Sequence, residues 1–364
     1  MIKRPLVIIG GGPAGLCAAK VAAEAGQQVL IIDRNPKLGG QLIKQTHMFF
    51  GSEKQFAKVR GFDIANKLLV ELEKYPNLVE IWMDATVVGL YNDFVVSVYK
   101  NNQYIKIQAE AIIVATGASE KVLAFENNDL PGIYGAGAVQ TLMNVYGVKP
   151  GNQVVMVGSG NIGLIVSYQL LQAGVKVLAI LEAAPTISGY KVHASKVRRF
   201  GVEICPSRTI KKAVGKDFVE KIITVGLDDK WQEIPGSERE FTVDAVCIAV
   251  GLTPLTNVLG MMDVKMKYVS ELGGLVPITN HEHETSIPNL FVCGDVSGIE
   301  EASSAIVEGT LTGLVACKNL GKMHPHHEQL YQDYEEQLRI LREGPYGVKI
   351  RQGLAKLGAL EDVK

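Results

Sequence analysis

The chain alternates short apolar runs with stretches of helical length, and this rhythm occurs twice. In each copy an apolar run is followed by a helix-compatible segment that ends at a glycine, and then by a second apolar run. These segments are residues 6–9, 16–25 and 28–32 in the first copy, and 154–157, 164–173 and 175–181 in the second. Strands that alternate with helices predict an α/β fold in which helices cover both faces of a parallel sheet.

A glycine-rich turn stands between the first strand and the helix of each copy. The first turn contains Gly10, Gly12, Pro13, Ala14 and Gly15, and the second contains Gly158, Gly160, Asn161, Ile162 and Gly163. Glycines there permit a tight turn, while the helix N-terminus offers N–H groups to a pyrophosphate. Because a chain with 38 glycines contains such patterns by chance, the flanking strand and helix carry the interpretation. We predict two dinucleotide sites; the alternative is a pair of turns that bind nothing.

An acidic residue closes the second strand of each copy. Asp33 lies 23 residues after Gly10, and Glu182 lies 24 residues after Gly158. A carboxylate at this position can accept hydrogen bonds from a ribose hydroxyl. No arginine stands beside Glu182, so a 2′-phosphate would meet a carboxylate without compensating charge. If the dinucleotide of the second site is a nicotinamide nucleotide, NAD(H) is therefore favoured over NADP(H). The alternatives are an ADP-bearing nucleotide with a regulatory role and a vestigial site.

The two copies differ in length after these acids. From Asp33 to the third strand at Val79 the chain advances 46 residues, but from Glu182 to Val202 it advances only 20. The extra residues of the first copy include Gly40, Gln41 and His47. An insertion on the ligand side of such a unit can contact the part of a ligand beyond the pyrophosphate. His47 is the one candidate acid or base there, and a positioning role is the alternative.

A further strand pattern, at residues 286–295, ends in another pair of candidate ligand-binding residues, Gly294 and Asp295. Residues 286–293 contain an apolar strand, 290–293, that delivers Gly294 and Asp295, and an apolar helical stretch that includes Ala302 follows. Asp295 can accept hydrogen bonds from a polyol, and the helix N-terminus beyond it can stabilise negative charge. The alternative is that Asp295 only caps a turn.

The order of these motifs along the chain resembles that of two-dinucleotide-fold flavoproteins in the pyridine nucleotide-disulfide reductase superfamily. The resemblance covers nearly the whole chain and implies that the first site binds FAD and the second binds NAD(P)H. It implies FAD contacts from the first turn and from Asp33, Arg34, Gly40, Gln41, Val87, Ala115, Thr116, Gly117, Gly294, Asp295 and Ala302. It implies nicotinamide-nucleotide contacts from the second turn and from Glu182 and Gly251. We assign the insertion of the first copy to the flavin ring.

The resemblance also implies a domain organisation. Two Rossmann-like, three-layer dinucleotide-binding domains are expected, with the NAD domain inserted into a discontinuous FAD domain. The FAD domain is predicted at residues 1–120 and 252–322, the NAD domain at 121–251, and a C-terminal helical tail at 323–364. An apolar stripe on the tail is predicted to dock on the chain itself or on a partner; its members are Leu330, Tyr334, Leu338 and Leu341.

A narrower resemblance rests on residues 128–141 and 341–347. These segments are similar to the FAD/NAD subunits of heteromeric sarcosine oxidase, proline or opine dehydrogenase and hydrogen cyanide synthase. The resemblance implies a multisubunit complex in which a second flavoprotein subunit is the partner. A homo-oligomer stays open as an alternative.

The cysteines depart from the disulfide-reductase pattern. All five, among them Cys17 and Cys293, lack the C-x-x-C or C-x4-C spacing that a local dithiol relay needs. Both named cysteines are interpreted as small buried residues. We therefore expect an FAD-dependent oxidoreductase that passes electrons between NAD(H) and an acceptor or partner without a redox disulfide. The alternatives are a flavoprotein subunit whose partner chain oxidises an amine, amino acid or opine, and a non-catalytic nucleotide-binding scaffold.

Charge and histidine placement limit other functions. A net charge of −1 with no basic tract argues against a nucleic-acid partner, and no membrane association is predicted. The histidines at 281 and 283 have strand spacing, and those at 324–327 form a cluster, yet neither group has the third ligand that a metal site requires. Both are interpreted as surface loops. The N-terminus lacks a secretory pattern, which together with unpaired cysteines predicts a cytoplasmic protein with a small-molecule redox substrate.

Overall fold

The computed structural model describes residues 1–345 and 347–358. Tyr346 and residues 359–364, which belong to the predicted tail, lie outside these ranges. The chain divides into two compact units: one combines Met1–Ser119 with Thr253–Lys364, and the other is Glu120–Leu252. Because the second unit interrupts the sequence of the first, the first unit is discontinuous.

Helices and strands alternate through most of both units. Within the described residues the α-helices are α1 (Pro13–Glu24), α2 (Gly61–Glu73), α3 (Ala136–Asn144), α4 (Asn161–Gln172), α5 (Lys191–Arg199), α6 (Ala302–Asn319), α7 (His327–Leu341) and α8 (Val348–Leu357). The strands are β1 (Ile2–Ile9), β2 (Val29–Ile32), β3 (Val79–Trp82), β4 (Thr86–Leu90), β5 (Val95–Lys100), β6 (Gln103–Val114), β7 (Ala118–Glu120), β8 (Ile133–Gly135), β9 (Gln153–Val157), β10 (Lys176–Leu181), β11 (Glu203–Cys205), β12 (Arg208–Val214), β13 (Lys221–Gly226), β14 (Arg239–Thr242), β15 (Ala245–Ile248), β16 (Leu252–Pro254), β17 (Met266–Val269), β18 (Gly274–Pro277) and β19 (Leu290–Val292).

The main sheet of the first unit has the order β3-β2-β1-β6-β5-β4, with β19 also paired to β6. Strand β1 runs parallel to β2 and β6, and β19 runs parallel to β6. Leu6 and Ile8 face the core that contains α1, whereas Val7 and Ile9 face a second core on the other side of the sheet. Burial on both faces explains why β1 reads as a continuous apolar run, and it confirms the three-layer α/β prediction.

Helices α1 and α6 pack against each other on one face of this sheet, and glycines of α6 allow the approach. A Cβ atom added at Gly309 would overlap the carbonyl oxygen of Ala14. One added at Gly313 would stand 2.7 Å from the carbonyl oxygen of Ala18. Any larger side chain at these two positions would force the helices apart.

The second unit repeats the design of the first. Its five-stranded sheet has the order β11-β10-β9-β15-β8, and these strands pair in parallel. Alternate residues of β9 again face two different cores, Val154 and Met156 on one side and Val155 and Val157 on the other. The strands β12, β13 and β14 form a separate antiparallel sheet.

Two sequence expectations need correction, one for the starts of α1 and α4 and one for His327. Helices α1 and α4 begin at Pro13 and Asn161, earlier than the apolar pattern indicated, because the glycine-rich turn itself forms the first helical turn. The histidines at 281 and 283 lie in a turn, which agrees with the loop interpretation, and His283 has a φ of 61°. His327 is not in a surface loop, because it begins α7 and is only 5% exposed.

The tail helix α7 docks on the body of its own chain. Tyr334, Leu338 and Leu341 pack with Val307 and Leu311 of α6 in one apolar cluster. Three of the four residues of the apolar stripe predicted from the sequence therefore pack within the chain, and Leu330 is outside this cluster. Helix α8 follows and packs its Leu357 and Leu354 against the β17–β18 hairpin region.

Candidate functional site

The first glycine-rich turn lies at the carboxyl edge of the main sheet. Gly10 has a φ of 113°, and a Cβ atom there would collide with the carbonyl oxygen of Ala115, so only glycine fits. A Cβ at Gly15 would collide with Gly10. At Gly12 the nearest atom is the Cα of Gly40 at 3.9 Å, so the space beside this residue is open. The turn thus combines two tightly packed glycines with one that faces open space.

Helix α1 begins directly at this open space. Its N-cap, Gly12, provides no side-chain hydrogen bond, and Pro13 occupies the first helical turn. The first N–H groups of a helix have no partner within the helix, and the missing donor of proline is harmless at this position. The N–H groups of Ala14 and Gly15 and the positive end of the helix dipole are thus available for an anion such as a pyrophosphate.

Asp33 fixes the neighbouring edge of this site. Its carboxylate is 7% exposed and accepts hydrogen bonds from the Gly11 N–H at 2.7 Å and from the Asn35 N–H and side-chain amide at 2.8 and 2.9 Å. The acid is thereby held beside the turn, where the sequence predicted a ribose contact. Arg34, the next residue, is exposed.

The insertion of the first copy closes over the turn. The Gly39 N–H donates to the Gly11 carbonyl oxygen at 2.7 Å, and a Cβ at Gly40 would stand 2.8 Å from Gly12. Gln41 is exposed on a short 3₁₀ helix, Gly40–Lys44. His47 follows this helix, is half-buried and stacks its ring on Phe49, with ring centroids 6.0 Å apart.

The residues after β6 form the next side of the site. Ala115 is buried and its N–H donates to Ile9, while the Thr116 hydroxyl donates to the Leu255 carbonyl oxygen at 2.7 Å. Gly117 has a φ of 73°. Val87 lies on β4 opposite Val98 and packs against the core.

Gly294 and Asp295 come to the same sheet edge at the end of β19. A Cβ on Gly294 would lie 3.1 Å from the Ala14 Cβ, so this loop touches the start of α1. The Asp295 carboxylate accepts a long hydrogen bond, 3.4 Å, from the Glu300 N–H. Burial raises the pKa of Asp295 to about 7. Hydroxyl groups of a polyol such as a ribityl chain could also donate hydrogen bonds to this carboxylate.

The second glycine-rich turn has nearly the same geometry. Gly158 has a φ of 108°, and a Cβ there would collide with the Ala249 carbonyl oxygen; one at Gly163 would collide with Gly158. Beside Gly160 the nearest atom is the Ser188 hydroxyl oxygen at 3.8 Å. Asn161 begins α4, and Ile162 is 39% exposed.

Glu182 takes the place that Asp33 has in the first copy. It is 8% exposed and accepts hydrogen bonds from the Ser159 N–H at 3.1 Å and the Ala184 N–H at 2.9 Å, and also from the Ser159 hydroxyl. The donors to this carboxylate are therefore neutral groups. Gly251 is exposed, with a φ of 118°.

One functional feature of the second copy escaped the sequence analysis. The Gly189 N–H donates to the Ser159 carbonyl oxygen at 3.0 Å, which repeats the contact between Gly39 and Gly11. The Asn161 side-chain oxygen also accepts a hydrogen bond from the Tyr190 N–H at 2.8 Å. Gly189 follows Glu182 by seven residues and Gly39 follows Asp33 by six, so a residue-by-residue comparison of the two loops would have found it.

The thiols lack the environment of redox cysteines. All five cysteines are free and buried. Burial raises the pKa of Cys17 and Cys317 to about 12 and that of Cys205 to about 11, and it also raises the pKa of Cys247 and Cys293. A thiolate is the reactive form, so these environments disfavour thiol chemistry.

A cavity of about 1120 Å³ lies away from the sheet edge, in the first unit. It is bounded by the outer faces of α1 and α2, residues 54–60, and α7, and its lining includes Lys20, Lys67, Tyr334 and Gln337. None of the residues predicted to bind a cofactor lines it.

Within the described ranges, no helix has both the length and the apolar character needed to cross a lipid bilayer. Among the residues that the structure describes, no group of three or more His, Cys, Asp or Glu side chains is placed to hold a metal ion.

Two Rossmann-like units, each with a glycine turn and an acid at the sheet edge, define the class of two-dinucleotide-fold oxidoreductases. The chain belongs to the pyridine nucleotide-disulphide oxidoreductase family, whose family model matches residues 4–309. The family uses FAD and NAD(P)H. The cofactor and family predictions are thus confirmed at this level.

Individual relatives support the narrower resemblance. The chain is 27% identical to an opine oxidase subunit of Agrobacterium tumefaciens over 86% of its own length and 65% of that protein. It is 25% identical to the alpha chain of sarcosine oxidase from a Corynebacterium species over 88% of its length and 33% of that protein. The chain therefore spans less than two thirds of each of these curated relatives.

Solved structures share the fold. L-proline dehydrogenase from P. horikoshii aligns with a TM-score of 0.69 at 23% identity, over 93% of this chain and 59% of that one. Thioredoxin reductase from T. acidophilum aligns with a TM-score of 0.72 at 21% identity, over 88% of this chain and 99% of that one.

Proposed function

We propose that this chain is an FAD-dependent oxidoreductase that passes electrons between NAD(H) and an acceptor or partner through flavin. The observation that carries the proposal is the repeated geometry of the two turns, each with an open space beside its middle glycine and a fixed acid at its edge. When bound, FAD accepts two electrons as a hydride from NADH and delivers them onward. The chain's own residues bind, orient and enclose the two nucleotides.

The first turn is proposed to hold the FAD pyrophosphate at the N-terminus of α1. Asp33 accepts hydrogen bonds from the adenosine ribose, and Asp295 accepts them from the ribityl chain. The insertion with Gly40 and Gln41 lies on the side assigned to the flavin ring. In the second unit, the N-terminus of α4 holds the NAD(H) pyrophosphate, and Glu182 accepts hydrogen bonds from the ribose.

Two observations refine this proposal. The five cysteines are buried with raised pKa values, which supports electron transfer without a redox disulfide. The donors to Glu182 are neutral N–H and O–H groups, so the charge of a 2′-phosphate would be uncompensated there. This favours NAD(H) over NADP(H).

A second candidate function is that of the flavoprotein component in a heteromeric amine, amino-acid or opine dehydrogenase. It is favoured by the relatives, which are named as subunits of opine oxidase and sarcosine oxidase. In that case a partner chain oxidises the substrate and this chain accepts or relays the electrons.

The test is an anaerobic titration of the purified flavoprotein with NADH and, separately, NADPH, followed at the visible flavin band. Bleaching by NADH at concentrations at least tenfold lower than by NADPH is expected. The matched variant Glu182→Gln should narrow that preference while FAD content stays unchanged. A flavin that neither nucleotide bleaches would contradict the NADH reaction and favour the second candidate function, and a chain that binds no FAD would overturn both.

A further inference from the structure

The loop that carries Gly294 and Asp295 rests on a buried group of three charged side chains. Arg342, at the end of α7, contacts Glu300 with its Nη2 at 2.7 Å and its Nε at 3.0 Å, and it contacts Glu308 with Nη2 at 2.5 Å. Their side chains are 18%, 9% and 5% exposed. Removing one partner of such enclosed ion pairs leaves an uncompensated buried charge, which is more costly than breaking a surface salt bridge.

Each of the two acids also contacts one of the two loop residues, Glu308 through its carboxylate and Glu300 through its backbone. The second oxygen of Glu308 accepts hydrogen bonds from the Gly294 N–H at 2.8 Å and from the Ser297 hydroxyl at 3.3 Å. The backbone N–H of Glu300 donates to Asp295 at 3.4 Å. Arg342 thus reaches Gly294 through one acid and Asp295 through the other, although it follows them in sequence by more than 45 residues.

The charge balance makes Arg342 indispensable to this arrangement. Three acids, Asp295, Glu300 and Glu308, share this region, and burial raises the pKa of each. Arg342 lowers the pKa of Glu300 and Glu308 and so opposes burial, and within the described residues it is the cation that hydrogen-bonds to both. Without Arg342, the two enclosed carboxylates would lose their counter-charge. Either the carboxylates would take up protons or the loop would rearrange to expose them to solvent.

The position of Arg342 is set by the docking of the tail. Its N–H donates to Leu338 at 3.1 Å, and Leu338 packs on Val307 and Leu311 of α6. The Arg351 side chain of α8 donates to the Arg342 carbonyl oxygen. Hydrogen bonds thus hold both the backbone of Arg342 and, through Glu300 and Glu308, its guanidinium group.

We infer that Arg342 is a positioning residue for the flavin, which it serves by fixing Gly294 and Asp295 through Glu308 and Glu300. This inference rests on the proposed FAD function and deepens it, since it makes the tail helix part of the frame of the flavin site. Arg342 itself is not proposed to touch the cofactor.

The test compares Arg342→Met with Arg342→Lys and with the control Arg339→Met. Arg339 is on the same helix, is 57% exposed and pairs with the surface acids Glu336 and Glu343. FAD affinity is measured by titrating apoprotein, and the position and fine structure of the bound flavin absorption bands are recorded. We expect Arg342→Met to weaken FAD binding at least tenfold and to shift the bands, Arg342→Lys to restore part of the affinity, and Arg339→Met to change neither.

Instability of Arg342→Met is handled by a double variant. Arg342→Met/Glu308→Gln removes one unpaired buried charge, so its apoprotein should melt closer to wild type, while FAD binding stays weakened because Glu300 is still unsupported. Wild-type affinity and bands in a folded Arg342→Met protein would overturn the inference and leave the proposed function intact. A wild-type chain that binds no FAD would overturn both.

Discussion

The two nucleotide turns agree in one part of their surroundings and differ in another. A Cβ atom at Gly10 or Gly158 would collide with the carbonyl oxygen of the alanine that follows the neighbouring parallel strand, β6 or β15. Asp33 and Glu182 both accept a hydrogen bond from the second N–H of the turn. The surroundings differ because the first turn is covered by a long insertion, while the second is covered by the short loop around Gly189. The turn and the acid, which both sites share, suit the pyrophosphate and ribose that all dinucleotides contain. The covering loops, which differ, suit the parts in which FAD and a nicotinamide nucleotide differ.

The first prediction separates glycines that the fold requires from those that a ligand requires. Gly10→Ala and Gly158→Ala should each destabilise the apoprotein by about 3 kcal/mol or more, because each combines positive φ with backbone overlap. Gly12→Ala and Gly160→Ala should cost less than about 1 kcal/mol, since their Cβ atoms meet open space.

Urea unfolding of the apoprotein, followed as two transitions for the two units, measures these effects. Each substitution should move the transition of its own unit. If Gly12→Ala destabilised the apoprotein as much as Gly10→Ala, the space beside Gly12 would be filled by the protein itself. It could then not hold a ligand.

The second prediction concerns Asp295, whose carboxylate belongs to the first site alone. Its pKa is raised by burial from 3.8 to about 7. Between these two pH values the carboxyl group is protonated in the folded state and ionised in the unfolded state. The stability supplied by this proton is present at low pH and is lost as the pH rises towards 7. Apoprotein of Asp295→Asn should therefore be more stable than wild type at pH 8, by on the order of 2 kcal/mol, and lose that advantage near pH 4.

Chemical unfolding of both apoproteins from pH 4 to pH 8 checks this difference. His283 has a pKa lowered to about 4 by burial and affects stability in the opposite sense, but it is present in both proteins and cancels in the comparison. The same variant should bind FAD more weakly. A constant stability difference across the pH range would contradict the enclosed, protonated Asp295.

The repeated core of this architecture could be predicted from sequence, because its signals are local. Apolar runs such as those of β1 and β9, the glycine spacing, and the acids that end β2 and β10 each occupy a few consecutive residues. The α/β fold and the family followed from them. The start of α1 was placed too late only because the glycine turn carries no apolar pattern.

Long-range features left no such signal. The contacts of Arg342 with Glu300 and Glu308 join residues 42 and 34 positions apart. Arg342 lies in the segment 341–347 that carried the narrower resemblance, but no local pattern there indicates its buried acidic partners. The docking of α7 was one of two alternatives until its contacts with Val307 and Leu311 were seen. The paths of the inserted loop and of the loop at Gly189 depend on backbone hydrogen bonds to the turns, which any residue type can donate.

The most direct measurement compares Gly12→Val, Gly160→Val and the control Gly260→Val for FAD content and for bleaching by NADH. Gly260 is exposed, and a Cβ there meets nothing within 4 Å. The account predicts that Gly12→Val retains little FAD, that Gly160→Val retains full FAD but is not bleached by NADH, and that Gly260→Val behaves as wild type. Loss of FAD from Gly160→Val, or its normal bleaching by NADH, would contradict the assignment of separate nucleotides to the two turns.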